Sequence, residues 1–94
     1  MPQNQQNSGD TGAAQLQALG AQIRARRKAL RLSATVTAEA AGMSRVTLHR
    51  IEKGEASVTM GAWCGALAAL GMALQAHSVA DARSPNEQQP DRTG

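Results

Sequence analysis

Phenylalanine and tyrosine are absent from this chain, and Trp63 is its single aromatic residue. Any core must therefore be assembled from Leu, Ile, Val, Met and Ala, without the large areas that aromatic side chains normally bury. That disfavours a β-sandwich, whose facing sheets draw on aromatic and β-branched residues. It favours short, closely packed helices. The chain has 94 residues, and both of its ends are polar and lack apolar periodicity. The expected organisation is a disordered tail over 1–12, one folded domain over 13–79 and a second disordered tail over 80–94. A domain of that size is only marginally able to stabilise itself, and dimerisation would add burial that a monomer lacks.

Between the tails the apolar spacing is helical. Leu16, Leu19, Ile23 and Leu30 recur at steps of three, four and seven, which predicts a first helix from about Ala13 to Leu30. Ser33 is the expected N-cap of a second helix, Ala34 to Ala41, closed by Gly42. Thr35, Val36 and Thr37 are consecutive β-branched residues, so Leu32 to Thr37 taken alone also reads as a short strand. The spacing of Ser33, Gly42 and Ser44 favours two helices joined by a tight turn.

Ser44 then caps a third helix, Arg45 to Lys53, which Gly54 stops. Leu48 and Ile51 fall on one of its faces, with Arg45, Val46, His49 and Arg50 towards the other. Thr59 caps a fourth helix in which Met60, Trp63, Ala66, Leu67 and Leu70 repeat at helical spacing, and Gly71 ends it. Beyond Gly71 the pattern alternates, with Met72, Leu74 and Ala76 one way and Gln75 and His77 the other. That predicts a short strand over 72–79 with no partner strand elsewhere in the chain.

Charge is concentrated rather than spread. Between Arg24 and Lys53 stand eight basic residues (Arg24, Arg26, Arg27, Lys28, Arg31, Arg45, Arg50, Lys53) against Glu39 and Glu52, while the rest of the chain is net negative. A basic face on a small helical domain is the electrostatic footprint of a polyanion binder. A solvated surface helix carries charge too, so the third helix alone does not decide. An enzyme is not expected: there is no Gly-rich phosphate loop, no paired-carboxylate motif and no Cys/His arrangement beside a nucleophile.

Cofactors and metals are not expected either. Cys64 is the single cysteine, which excludes an intramolecular disulfide and a multi-cysteine metal site, and its apolar surroundings predict a buried, inert thiol. His77 has no second ligand in view. Residues 1–12 lack the basic start and apolar run of a signal peptide. The apolar stretch over 60–76 is short and broken by Gly61, Gly65 and Gly71, so no membrane segment is expected. Cytoplasmic location is the resulting expectation.

Over about residues 19–71 these segments resemble the phage-repressor helix-turn-helix family (Cro/cI-type, XRE). Leu19-Gly20 with Ile23, Arg24, Arg27, Lys28 and Ala29 is similar to that family's first helix. Leu32-Ser33 with Ala38 and Gly42 is similar to its second helix and turn. Ser44 to Gly54 is similar to its recognition helix and exit, and Ala69-Leu70-Gly71 to the end of its later core helix. There are departures. Ala34 stands where the family usually has Gln, Thr37 where it has a core Leu, and Arg31 where many members close helix one with Gly. The side chain that usually makes the contact from helix two is therefore missing at Ala34, and a less stable second helix is expected.

The resemblance implies an all-α, lambda-repressor-like bundle of four to five short helices that binds double-stranded DNA. Its recognition helix would enter the major groove N-terminus first, bringing Ser44, Arg45, Val46 and Arg50 towards base edges or nearby phosphates. Arg45 suits a bidentate contact to guanine, and Val46 a thymine methyl. Thr47, His49 and Lys53 suit phosphate or flanking contacts, although His49 also reads as an exposed residue without a role. The resemblance further implies that Arg27 pairs with Glu52 and fixes the recognition helix against its scaffold.

The unpaired strand invites pairing across a two-fold axis, which predicts a homodimer through Trp63, Leu70, Met72, Leu74, Ala76 and His77 on a palindromic operator. Residues 70–74 followed by a strand resemble the HipB-like antitoxin branch, which pairs with HipA-type kinase toxins. The expected function is thus a repressor that autoregulates an operon as an antitoxin. The alternatives are a stand-alone phage or chromosomal repressor, and an antitoxin acting mainly by protein–protein binding.

Overall fold

The computed structural model describes residues 2–79, with side chains from residue 11 onward. Its elements are four helices: α1 (Pro2–Ala29), α2 (Ala34–Ala41), α3 (Arg45–Glu52) and α4 (Met60–Ala69). Three of them begin at the polar caps expected of them. Ser33 Oγ accepts from the Val36 N–H at 3.0 Å, Ser44 Oγ from the Thr47 N–H at 3.0 Å, and Thr59 Oγ1 from the Ala62 N–H at 3.2 Å. Each cap satisfies one of the donors that a helix start leaves without an intrahelical partner. The β-branched run in α2 is helical because Thr37 and Ala38 are buried, and tertiary packing outweighs a small propensity deficit.

All four helices end alike. The residue in the left-handed region donates its N–H to the carbonyl three residues back, and the next residue donates to the carbonyl five back. Arg31, Gly42, Gly54 and Gly71 occupy that position, with φ of 60°, 71°, 81° and 71°.

One buried cluster joins the helices: Ile23 from α1, Ala38 from α2, Leu48 and Ile51 from α3, and Trp63, Ala66 and Leu67 from α4, with Leu70 just beyond. α2 lies against both α3 and α4, while α1 lies across α3. The α1–α3 crossing is at Gly20. A Cβ there would run into the Ile51 carbonyl oxygen and lie 2.8 Å from that of Glu52, so only glycine lets the backbones meet. Thr37 is fully buried, and its Oγ1 has no hydrogen-bond partner among the described residues. An unmet buried hydroxyl costs about 1–3 kcal/mol, which makes α2 the weak side of the core.

Several expectations are corrected. α1 begins at Pro2, not near Ala13 where the apolar spacing starts. Extending an existing helix is far easier than nucleating one, and the Ala- and Gln-containing start of the apolar segment carries it backwards. Leu30 is 41 % exposed, although it continues the spacing of Ile23. The chain reverses there, and Leu32 packs against the core at this end instead. No strand occurs among the described residues of the single chain, and the ladder expected of residues 72–79 is one between two chains. Cys64 is exposed rather than buried. Its position lies off the stripe of Trp63, Ala66, Leu67 and Leu70 that turns into the core. The expected tail over 80–94 lies outside the described residues.

Candidate nucleic-acid interface

α3 separates its residues cleanly. Leu48 and Ile51 are fully buried, while Arg45, His49, Arg50 and Lys53 are exposed and Val46 keeps 63 % of its surface. Thr47 is half-buried. The Ser44 hydroxyl accepts from the Thr47 N–H and donates to Thr47 Oγ1 at 3.0 Å. Ser44 is thereby engaged in starting the helix, while the Thr47 hydroxyl proton stays free to donate outward. Arg50 Nε lies 3.9 Å from Glu55 Oε1, and both side chains are well exposed, so this pair holds Arg50 only weakly.

The far end of α3 is held by a fork. Arg27 Nε donates to Glu52 Oε2 at 2.7 Å and Arg27 Nη2 to Glu52 Oε1 at 3.1 Å, with the two side chains only 12 % and 7 % exposed. Arg27 Nη1 donates to the Leu32 carbonyl at 3.0 Å. One planar guanidinium thus ties α1, the α1–α2 turn and α3 together. Its pKa is raised, chiefly by the hydrogen bond to Glu52, against the opposing effect of desolvation. Arg24 Nε stands 3.9 Å from Glu52 Oε1 with most of its side chain in solvent.

Between these groups lies a cleft of about 410 Å³, floored by Ala34 and Leu48 and walled by Arg24, Arg45, Val46 and His49. With Glu52 engaged by Arg27, the lining groups left facing solvent are the Arg24 and Arg45 guanidiniums, the His49 imidazole and the apolar Val46. Such a surface can take phosphate oxygens and base edges together. Among the described residues no three His, Cys, Asp or Glu side chains gather as a metal site, and no helix is long and apolar enough to cross a membrane.

The residues expected at a dimer contact divide. Trp63 and Leu70 are 3 % and 2 % exposed within a single chain, so they belong to the core and have no surface left for a partner. Met72 is half-buried against that core. Leu74 (45 % exposed), Ala76 and His77 face solvent. They border a groove of about 720 Å³ whose other wall is Ala18, Leu19 and Gln22 of α1. Leu74 also borders a second hollow of about 320 Å³ with Leu16, Val58 and Met60.

Two roles went unread in the sequence. Arg26 Nε donates to the Leu70 carbonyl at 3.1 Å, latching the end of α4 to α1. Arg24 forms the α1 wall of the cleft. Both sit in a run of basic residues whose spacing does not distinguish a latch from a wall. A family model described as a helix-turn-helix domain matches residues 18–78, from the middle of α1 to the segment after α4. No curated protein matches the chain.

Proposed function

As the chain belongs to the helix-turn-helix domain family, we propose that it is a sequence-specific, double-stranded-DNA-binding transcriptional regulator that acts as a homodimeric repressor. The observation that carries this reading is the solvent face of α3. Arg45, Val46, His49, Arg50 and Lys53 all point out from a helix whose other side is sealed into the core and clamped by Arg27 and Glu52. Arg45 and Val46 on the first turn read bases, with Ser44 at their edge. Thr47, His49, Arg50 and Lys53 meet phosphates or flanking positions.

The test is titration of a labelled duplex at several salt concentrations, followed by selection of preferred sites from a random pool. We expect strong salt dependence, and Arg45→Ala to lose about 1–3 kcal/mol on the selected site but far less on random DNA. No duplex binding at about 50 mM salt would end the DNA reading.

Dimerisation belongs to the same proposal. The exposed Leu74 and the grooves beside it support a contact through residues 72–77, in which two such segments pair across a two-fold axis. Leu74→Pro removes a ladder donor, so we expect that variant to sediment as a monomer and to lose specific binding while keeping most of its helical circular dichroism. A variant that stays dimeric would exclude this segment as the contact. The same apolar surface supports a second reading, an antitoxin that holds a HipA-type kinase toxin and autoregulates its operon. Co-purification with the product of the neighbouring gene separates it from a stand-alone repressor.

A further inference from the structure

Four helices close with one turn geometry, and three of the four use glycine, which reaches positive φ without strain. Arg31 is the exception. At φ 60° it is the one non-glycine residue in the left-handed region among the described residues. The hydrogen bonds are those of the glycine turns: the Arg31 N–H donates to the Lys28 carbonyl at 2.9 Å and the Leu32 N–H to the Arg27 carbonyl at 3.0 Å. Its Cβ therefore meets the crowding that disfavours this conformation in L-residues. Nothing inside the protein compensates. Arg31 is exposed and makes no ion pair among the described residues. Strain kept at an exposed, unpartnered cation points to a role outside the molecule.

The place of Arg31 says which role. It directly precedes Leu32, whose carbonyl is held by the same Arg27 fork that clamps α3. It stands three residues before Ala34, which floors the cleft beside Arg45, Val46 and His49. α2 itself, Ala-Thr-Val-Thr-Ala-Glu-Ala-Ala, offers that side of the cleft no cation. We propose that Arg31 binds a phosphate of duplex DNA at the α2 edge of the cleft, on a turn whose position relative to the recognition helix is set by Arg27. The proposal rests on the duplex-DNA reading above.

The experiment uses the full chain, Arg31→Gly and Arg31→Lys, each titrated with a labelled random-sequence duplex across a salt series and each melted thermally. Arg31→Gly is expected to melt higher than wild type, because the turn is relieved. It should bind roughly eightfold more weakly at about 0.1 M salt, with the slope of log K against log salt shallower by about 0.9. Arg31→Lys should keep the wild-type slope without the gain in melting temperature. Wild-type affinity and slope in Arg31→Gly would overturn the proposal, as would a lower melting temperature, which would remove the strain argument. A wild-type chain that binds no duplex would overturn the DNA reading and this proposal with it. That result is distinct from a wild type that binds while Arg31→Gly binds equally well.

Discussion

Glu52→Ala is expected to lose about 3–5 kcal/mol of folding stability, the range for removing one partner of a buried ion pair. The loss arises because Arg27 cannot shed its charge. Its guanidinium would remain mostly buried with two donors unmatched, Nε and Nη2, and only the Leu32 carbonyl left on Nη1. Small domains hold only about 5–15 kcal/mol in total, so the variant should unfold at much lower urea. Arg27→Ala should lose a comparable amount, since it strands the carboxylate instead.

Arg27→Met combined with Glu52→Leu should recover most of the stability, because neither charge is then left buried. A double variant as unstable as either single one would mean that the fork contributes through shape, not charge. The pH dependence has a definite sign. Arg27's pKa is raised in the folded state, so the contribution is complete below the ordinary arginine range and fades only as pH climbs through the raised value. The difference between wild type and Glu52→Ala should therefore hold constant from neutral to about pH 10.

What could be read in advance depended on how local its signal was. The caps at Ser33, Ser44 and Thr59 formed as expected because a capping hydroxyl and the N–H it serves lie three residues apart. The split of α3 into Leu48 and Ile51 against Arg45, Val46, His49 and Arg50 was legible for a similar reason: eight residues of strong contrast leave one way to turn the helix. α4 offered no such contrast. The spacing of Trp63, Ala66, Leu67 and Leu70 marked the inner side, but with no charged residue opposite it the off-stripe Cys64 still read as buried.

Long-range partners were the least legible. The meeting of Arg27 with Glu52 came from resemblance, since 25 residues separate them and no period links them. Arg26 on the Leu70 carbonyl, 44 residues away, had no sequence signal at all. The alternation over 72–79 calls for a second strand beside it, which the dimer proposed above would bring from its other chain.

Gly20→Ala is expected to destabilise the protein by about 2–3 kcal/mol, although alanine favours an isolated helix by about 1 kcal/mol. The opposing signs make the test sharp. A peptide spanning α1 should become more helical with the substitution, while the whole chain should melt lower. The reason is that the new methyl meets backbone on α3, the Ile51 carbonyl oxygen and that of Glu52 at 2.8 Å, and backbone cannot rotate away as a side chain can. α1 and α3 must part at the residue that Arg27 clamps from the side, so the clash and the fork act on one point. Gly20→Ala and Glu52→Ala should then combine to less than the sum of their separate effects, because a crossing already pried open has less left to lose. Strict additivity in a double-mutant cycle would show instead that the Gly20 crossing and the Arg27 fork hold α3 independently.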